Sequence, residues 1–258
     1  TAKTLALVYD LPFVGVNHLE AHLMAPFLSD ATTPPPQNFN YPYIALAVSG
    51  GHTQIYYVKE FGNYMIMGQT VDDAAGEAFD KLAKRLDLGF PGGKFVDEYA
   101  QKGNPRAYNF PRPMLGTKGF DMSFSGLKTA ALRFLENNKV FKVEDLCASY
   151  QEAIVEVLMG KLKNACKLTG LKRVAITGGV SANSRLREVS QSWALEEQIQ
   201  LVIPPIRYCT DNAAMVGYAG AQRLLAGERD AQGLSPMAKT PEGFFKKYER
   251  CSLDQSTV

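Results

Sequence analysis

The stretch that decides the fold is Tyr43-Ile-Ala-Leu-Ala-Val-Ser-Gly-Gly-His52, an apolar run that ends in a glycine pair. The run has the length of a strand, and the glycines are typical of a turn after a strand. Residues 54–59 and 64–70 have the composition of two further strands. The sequence therefore predicts a meander of three strands. A proline-rich connection over residues 32–42 precedes it and is the best candidate for a domain boundary.

Downstream of the meander, the hydrophobic pattern changes to that of helices. Helices are predicted at residues 75–86, 91–99, 125–137, 143–168, 183–197 and 211–225, and strands at residues 173–177 and 201–203. Gly170 has the position of a C-cap, and the residues after Ala226 have the composition of a polar tail. Strands, a helical insertion and then strand–helix alternation predict an α/β protein with a mixed sheet.

Upstream of the meander, the sequence predicts a helix at residues 2–9, a strand at residues 13–16 and a short helix that Asn17 caps. No capping residue or connecting segment precedes the first of these helices. We therefore expect that the sequence enters a fold that is already under way.

Composition limits the class of protein. The chain has 258 residues, 46% of them hydrophobic and 21% charged, as in ordinary globular proteins, and no apolar run reaches the length of a membrane span. Its net charge of +2 neither requires nor excludes a nucleic-acid partner. The cysteines lie far apart without a Cys-x-x-Cys pair, which indicates a reducing cytoplasm. They are Cys147, Cys166, Cys209 and Cys251.

Two histidines, His18 and His22, lie four residues apart on the predicted short helix. Residues at this spacing share one helix face, so that both imidazoles can reach one metal ion. Two ordinary surface or core histidines also fit the pattern. Glu20 lies between them, whereas a zincin has its glutamate directly after the first histidine. Glu20 is therefore predicted to point away from the ligand face, where it cannot act as a zincin-type base.

A third metal ligand has to come from elsewhere in the chain. Asp211, in Cys209-Thr-Asp-Asn212, is predicted at the start of a helix, where an acidic residue is more often stabilised by the helix dipole. On residue type alone, both a ligand role and a first-turn role remain open for Asp211.

Two glycine pairs follow apolar strands, at Ser49-Gly-Gly51 and Thr177-Gly-Gly179, and Gly92-Gly93 opens a helix. Because glycine has no Cβ, backbone N–H groups at such positions can approach a phosphate closely. A single pair is usually just a turn, but the three together favour a nucleotide cleft. Asp80 and Asp97 lie near the glycines and suit ribose hydroxyls, although a solvated helix face also explains them.

Basic residues form three clusters, and the second is interleaved with Tyr108 and Phe110, a pattern that could favour RNA. The clusters contain Lys81, Lys84 and Arg85; Arg106 and Arg112; and Lys161, Lys163 and Lys167. Solvated helix faces have the same composition, so both interpretations stay open.

Seven motifs occur in order along the chain. They are Asn17-His-Leu-Glu-Ala-His22, Val48-Ser-Gly-Gly-His52, Asp72-Asp-Ala-Ala-Gly-Glu-Ala-Phe-Asp-Lys81, Phe90-Pro-Gly-Gly93, Ser123-Phe-Ser-Gly-Leu-Lys-Thr129, Gly178-Gly-Val-Ser-Ala-Asn183 and Cys209-Thr-Asp-Asn212. Together they resemble the bacterial branch of the tRNA threonylcarbamoyladenosine transferase family, also called the TsaD/Gcp or glycoprotease family. The resemblance extends from Ala2 to about Gly227.

The resemblance implies an α/β, actin-like or hexokinase-like (ASKHA) fold with two lobes and the active site between them. Residues 1–35 would end an incomplete first lobe and carry the metal-binding helix. Residues 36–258 would form the second lobe, with a helical insertion at about 74–170. The implied ligands of one metal ion, Fe(II) or else zinc, are His18, His22 and Asp211. The implied adenylate pocket consists of Ala47, Val48, Ser49, Gly50, Gly51, Asp80, Gly93, Asp97 and Asn183.

The family transfers a threonylcarbamoyl group from threonylcarbamoyl-AMP to the exocyclic amine of the adenosine 3′ of the anticodon, in tRNAs that read ANN codons. The resemblance implies tRNA as a partner, with an inactive actin-like paralogue, a small ATPase and the threonylcarbamoyl-AMP synthase as supplier. It also implies a cytoplasmic protein without a membrane partner. The strand-rich first segment of the family, with its phosphate loop, has no match here. We therefore expect this chain to be inactive or poorly folded on its own.

Three other classes of function remain open on the sequence. A metallopeptidase would need a base beside a metal-bound water, and a sugar kinase or ATPase would need a catalytic carboxylate and Mg²⁺. A non-catalytic scaffold would have no need of metal ligands. No Ser–His or Cys–His pair is evident, since His52 belongs to the glycine loop, and we therefore expect no covalent intermediate.

Overall fold

A mixed sheet forms the centre of the computed structural model, which describes residues 1–238 and 240–248. Its strands are β1 (Tyr43–Val48), β2 (Thr53–Glu60), β3 (Asn63–Gln69), β4 (Arg173–Thr177), β5 (Gln200–Val202) and β6 (Lys246–Lys247). They lie in the order β5-β4-β1-β2-β3-β6. The first three strands pair antiparallel as the predicted meander, whereas β4 pairs with β1 and β5 in parallel. The predicted mixed sheet is confirmed.

Helices cover both faces of this sheet. They are α1 (Ala2–Val8), α2 (His18–Met24), α3 (Ala75–Arg85), α4 (Gly92–Ala100), α5 (Ser125–Asn137), α6 (Val143–Thr169), α7 (Ser184–Glu196), α8 (Ile206–Cys209) and α9 (Ala213–Leu225), with 3-10 turns at Ala25–Phe27 and Gly179–Ala182. Gly170 ends α6 with a φ of 68°, as its predicted C-cap position requires. Within the described ranges, no helix combines the length and the apolar character that a membrane span needs.

The central strand β1 explains why the molecule has two apolar layers. Alternate residues of a strand point to opposite faces, and all of β1 is buried. Residues 44, 46 and 48 pack with α3, α4, α5, α6 and α7, whereas residues 43, 45 and 47 pack with α2 and α9. Each fully buried aliphatic side chain of this kind contributes about 1.5–3 kcal/mol to folding. The sheet therefore separates two layers. We call them the insertion layer (α3–α7, of which α3–α6 lie in the predicted insertion) and the α2/α9 layer.

The short helix α2 belongs to the second of these layers. Its residues Ala21, Leu23 and Met24 are fully buried against the sheet, and the Tyr43 hydroxyl donates to Leu23 O at 2.7 Å. The assignment of residues 1–35 to the end of a separate lobe stays a prediction.

The strand predicted at residues 13–16 is absent, and this prediction is wrong. The segment is bound instead to the chain after α9: Asp230 N donates to Phe13 O at 2.8 Å, and Gly15 N donates to the Asp230 carboxylate at 2.7 Å. A Cβ on Gly15 would lie only 2.6 Å from Leu234 Cδ2. The close approach of these two segments, which lie far apart in sequence, takes the place of sheet pairing.

The residues after Ala226 are not a free polar tail in the part of the chain that the structure describes. β6 pairs in parallel with β3, and Thr240 Oγ1 accepts from Asn17 Nδ2 at 3.0 Å. The ring of Phe245 packs against Tyr56 and Tyr64. Two adjacent phenylalanines anchor a segment that is otherwise polar, which its average composition concealed. Residue 239 and residues 249–258 of the predicted tail, Cys251 among them, lie outside the described residues.

Candidate metal and substrate site

The start of α2 positions the two histidines. The Asn17 side chain accepts from Leu19 N at 2.9 Å and from Glu20 N at 3.2 Å, which confirms the predicted N-cap. His18 is therefore the first helical residue, and His22 follows one turn later on the same face. The His18 side chain is 51% exposed, whereas that of His22 is 2% exposed. The imidazole of His18 thus lies at the surface, and that of His22 lies beneath it.

Asp211 completes the cluster from the other end of the chain. Its Oδ1 lies 3.2 Å from His18 Nε2 and 3.1 Å from His22 Nε2. The three potential ligand atoms lie within 4.8 Å of one another. A shallow cavity of about 440 Å³ opens in front of Asp211 and His18. The structure therefore brings together all three predicted metal ligands beside open space.

The segment that carries Asp211 differs from the prediction. α9 begins at Ala213 rather than at residue 211, because Asn212 is its N-cap and accepts from Met215 N at 2.9 Å. Asp211 therefore lies in the turn between α8 and α9, outside the first turn of the helix. This position releases the carboxylate from the helix start and directs it towards α2.

Burial sets the charge state of the inner histidine. The pKa of His22 is lowered by burial and next by the neighbouring His18, whereas Asp211 acts in the opposite direction. The neutral imidazole, which is the metal-binding form, is therefore favoured at neutral pH. Burial also lowers the pKa of His52, and both His18 and Asp211 affect it. His52 thus lies near the cluster, which the sequence did not indicate.

The donor set fits a metal ion. Two imidazole nitrogens and one carboxylate suit Fe(II) or zinc and leave positions for other ligands. Ligands bound at about 2.0–2.1 Å from one ion lie roughly 3 Å apart, close to the two distances from Asp211 Oδ1. Nδ1 of His22 is buried without a hydrogen-bond partner among the described residues. The neutral tautomer with its proton on this nitrogen leaves Nε2 free to bind an ion.

The two strand-end glycine pairs meet at one edge of the sheet. β1 and β4 are parallel neighbours, so their carboxyl ends lie side by side. Gly178 has a φ of +88°, and a Cβ there would lie 2.3 Å from Val48 O. A Cβ on Gly76, in α3, would lie 2.5 Å from Ser49 O and 2.7 Å from Gly50 Cα. Predicted pocket residues 47–51 therefore lie at this edge, between β4 and α3.

The sheet edge that carries Ser49-Gly-Gly51 and Thr177-Gly-Gly179, which we call the glycine edge, adjoins the cluster of predicted metal ligands. A Cβ on Gly179 would lie 3.8 Å from Cγ2 of Thr210, the residue before Asp211. The turn after β1 is closed by Ser49 N, which donates to His52 O at 2.7 Å, and His52 lies near His18 and Asp211. The glycine turns and the three predicted metal ligands are therefore neighbours.

The other predicted pocket residues hold the starts of helices. Gly92 N donates to Asp80 Oδ1 at 2.7 Å at the start of α4, where Gly93 follows. At the start of α7, Ser184 donates to Asp97 from its backbone N at 3.0 Å and from its hydroxyl at 2.6 Å. Asn183 accepts from Leu186 N at 3.0 Å and donates to Gln151 Oε1 at 2.7 Å. These side chains are fixed in place; their contact with adenylate stays a prediction.

Two of the basic clusters contain side chains that RNA cannot reach. Lys161 is fully buried and donates to Thr117 O at 3.1 Å and to Gly119 O at 3.0 Å. Phe110 is buried, and both it and Tyr108 pack against Phe134. Phe110 is therefore not available to RNA, and the half-buried ring of Tyr108 packs on the insertion layer. RNA contact of the cluster of Arg106 and Arg112 stays a prediction.

Sequence reasoning missed the partners of Glu20. The side chain points away from the metal ligands as predicted, but it is fully buried and contacts Tyr64 and Arg223. The sequence offered two signals. Glu20 is the one acidic residue of α2, and Arg223 is the one basic residue of the largely apolar helix α9. Nothing local to either helix could pair them, because they lie 203 residues apart.

Comparison with known proteins decides the family. The family described as TsaD, tRNA N6-adenosine threonylcarbamoyltransferase, matches residues 1–218. The chain belongs to this TsaD family. A tRNA N6-adenosine threonylcarbamoyltransferase of Bdellovibrio bacteriovorus is 56% identical over 250 residues, which cover 95% of this chain and 72% of that protein. One of Thermotoga neapolitana is 47% identical over 226 residues and covers 88% of this chain and 67% of that protein.

Solved structures support the fold of this TsaD family member. The crystal structure of T. kodakarensis HypF matches 88% of this chain and 38% of its own, with a TM-score of 0.64 and 15% identity. A full-length HypF in a phosphate- and nucleotide-bound form matches 87% of this chain and 38% of its own, with a TM-score of 0.65 and 13% identity. At this identity the likeness concerns the fold alone, and it confirms the predicted actin-like α/β class.

Proposed function

We propose that this chain transfers a threonylcarbamoyl group from threonylcarbamoyl-AMP to the exocyclic amine of the adenosine 3′ of the anticodon, in tRNAs that read ANN codons. One observation of the structure carries the proposal beyond family membership. His18, His22 and Asp211 converge beside a glycine-lined sheet edge, which supports a metal site next to a site for a phosphate ester.

The reaction is an acyl transfer between two bound substrates. The amine nitrogen bonds to the carbamoyl carbon, the bond from that carbon to the phosphate oxygen breaks, and AMP leaves with the electron pair while the amine loses a proton. AMP is a good leaving group, so the protein mainly has to align both reactants and stabilise developing negative charge. No covalent enzyme intermediate is required.

The residues of this chain would divide that work. The backbone N–H groups of Gly50, Gly51 and Gly179 would cradle the adenylate phosphate. Asp80 and Asp97, held by their contacts with Gly92 and Ser184, would accept from ribose hydroxyls. His18, His22 and Asp211 would hold one ion, Fe(II) or else zinc, which when bound supplies Lewis acidity and fixes substrate oxygens.

The proposal includes the pathway partners. In addition to tRNA, we propose that the chain works in the cytoplasm with an inactive actin-like paralogue, a small ATPase and a threonylcarbamoyl-AMP synthase. The resemblance of the motifs supports these partners. The exposed Lys84 and Arg85 at the end of α3, beside Lys81, provide a basic surface that suits a phosphate backbone.

The metallopeptidase alternative is not favoured, because Glu20 is bound to Arg223 at 2.7 Å and to the Tyr64 hydroxyl at 2.8 Å. Its carboxylate is thus held away from the water on a bound ion. A non-catalytic scaffold is not favoured either, since a scaffold gives no reason for the convergence of His18, His22 and Asp211.

The test is a transfer assay with labelled threonine. The full-length natural protein is assayed with synthase, paralogue, ATPase, unmodified tRNA and Fe(II), beside its His18→Ala variant. We expect label in tRNA with the parent and none with His18→Ala. Transfer that survives His18→Ala, or a folded parent that transfers nothing, would contradict the proposal. A peptide-cleavage assay of the same samples should show no hydrolysis.

A further inference from the structure

The motif residue Glu20, which the proposed reaction does not use, forms a buried ion pair. Its side chain is fully buried, and that of Arg223 is 13% exposed. Arg223 Nε donates to Oε2 at 2.7 Å and Nη2 donates to Oε1 at 2.8 Å, a bidentate contact. The Tyr64 hydroxyl donates to Oε1 at 2.8 Å. Both carboxylate oxygens of Glu20 are therefore satisfied, as a buried charge requires.

Arg223 is itself held from several sides. Its guanidinium lies 5.4 Å from the ring centroid of Phe244, and its Nη1 donates to Glu228 at 2.5 Å. Together with the two bonds to Glu20, these contacts use all three nitrogen atoms of the guanidinium and one face of its plane. The guanidinium therefore holds its Nε and Nη2 donors in a fixed orientation towards Glu20.

The position of this pair matters because α2 and α9 both contribute to the metal cluster. α2 has only seven residues, too few for a helix that is stable by itself. On a helix, Glu20 is rotated by about 160–200° from His18 and His22, so that it anchors the opposite face. The histidines meet Asp211 before the first residue of α9, whereas Glu20 meets Arg223 near its last turn. These two contact points are separated by about 15 Å of helix rise.

We propose that Arg223 and Glu20 are positioning residues for the metal site, because they fix the register and rotation of α2 against α9. The apolar residues of α2 hold it against the sheet, and the contact of Glu20 with Arg223 adds a polar constraint at the far end of α9. Without this second contact, small rotations of α2 would move His18 and His22 relative to Asp211. The spacing His-x-Glu-x-His then has a physical reason: one helix face binds the ion, and the opposite face binds the arginine that orients it. This inference rests on the metal site of the proposed function.

The most conservative variant that tests the proposal is Arg223→Lys. It keeps the positive charge but replaces a planar fork with a single ammonium group, so the bidentate contact is lost. We expect the dissociation constant for Zn²⁺ to rise about tenfold, as for other residues that orient metal ligands. The visible absorption spectrum of the Co²⁺-loaded variant should also change, because the ligand geometry changes. A merely structural arginine would leave both readouts unaltered.

A matched control exists in the insertion layer. Arg185 makes a bidentate contact with Glu152, at 2.7 Å from Nε and 2.9 Å from Nη2. Arg185→Lys should also lower the unfolding midpoint of the metal-free protein, although by less than Arg223→Lys, because the side chains of Arg185 and Glu152 are 32% and 14% exposed. Its Zn²⁺ affinity and Co²⁺ spectrum should match those of the parent. Equal loss of Zn²⁺ affinity in both variants would overturn the proposal, because stability alone would then explain it.

A second measurement separates positioning from stability if a single variant folds poorly. Glu20→Gln combined with Arg223→Met removes both buried charges, so the double variant should be more stable than Arg223→Met alone. We expect its Zn²⁺ affinity to stay about tenfold below the parent. Recovery of parental affinity along with stability would contradict the proposal.

The outcomes also separate this inference from the proposed metal site. If the parent binds no Zn²⁺, or if His18→Ala binds it as tightly as the parent, both the site and the inference are wrong. If the parent and His18→Ala behave as proposed but Arg223→Lys binds Zn²⁺ within twofold of the parent, only the inference is wrong.

Discussion

The two sides of the sheet use their polar residues differently. In the α2/α9 layer, His18 and Asp211 contact one another and His22 but hold no helix start. On the insertion side, the predicted pocket residues Asp97 and Asn183 each accept a backbone N–H at the start of α7. On the first side the predicted ligand residues thus have no structural contact of this kind, whereas on the second side the predicted pocket residues also hold the start of a helix.

This difference predicts different responses to mutation. A metal ligand that has no structural contact can be removed with little cost in stability. Removal of a pocket residue that also caps a helix should lower stability, so loss of substrate binding and loss of stability should occur together. The comparison can be tested at positions where the chain provides closely matched controls.

The largest effect is expected for His18→Ala. Its side chain is 51% exposed, so we expect the free energy of unfolding of the metal-free protein to change by at most about 0.5 kcal/mol. Metal affinity should fall by about a hundredfold or more, since one of three ligands is lost. Isothermal titration with Zn²⁺ measures the affinity. His52→Ala is the control, because it removes a nearby histidine outside the cluster and should leave the affinity near that of the parent.

The next effect is expected at the glycine edge. Gly178→Ala should destabilise the protein by about 3 kcal/mol, because a side chain is strained at φ +88° and its Cβ would overlap Val48 O. Gly179→Ala, where a Cβ would have only Thr210 at 3.8 Å, should cost less than about 1 kcal/mol. Urea unfolding of both variants measures the difference. Similar unfolding midpoints for the two would break the account of how β1 and β4 meet.

A smaller effect tests the double role of Asn183. Asn183→Ala should lower stability by about 1–2 kcal/mol, since the N-cap contact to Leu186 N and the contact to Gln151 are both lost. Asn183→Asp keeps the acceptor for Leu186 N and should lose less. Thermal unfolding and AMP binding are measured on both variants. Full AMP affinity in Asn183→Ala would show that this residue is structural alone.

The last prediction, which involves no mutation, concerns the cysteines of the insertion layer. Burial raises the pKa of Cys147 and of Cys166 to about 12, so both thiols stay protonated at pH 8. We expect iodoacetamide to label them at least about a hundredfold more slowly in the folded protein than in urea. Mass spectrometry of the labelled peptides measures the rates. Rapid labelling of the folded protein would mean that the insertion layer opens readily.

The sequence predicted those features that depend on neighbouring residues. The apolar run Tyr43–Val48, the Asn17 cap and the spacing of His18 and His22 are local, and each is present as predicted. The fold class and the predicted ligand set came from the order of the motifs, which reports on the family rather than on any single residue.

The features that the sequence could not predict depend on contacts between distant segments. Residues 13–16 form no strand because Asp230 binds them, and the polar segment after α9 is held by Phe245 against β2 and β3. The partner of Glu20 lies in α9, at Arg223. No local pattern specifies such pairings, because these contacts stabilise the protein only after the sheet has brought the distant segments together.

The most direct test of the account is to locate the ion. Crystals of the protein grown with Fe(II) are measured at the iron absorption edge, and an anomalous difference map is calculated. The account predicts one peak in contact with Nε2 of His18, Nε2 of His22 and the carboxylate of Asp211. A peak elsewhere, or no peak in crystals whose protein was shown to bind iron in solution, would contradict it.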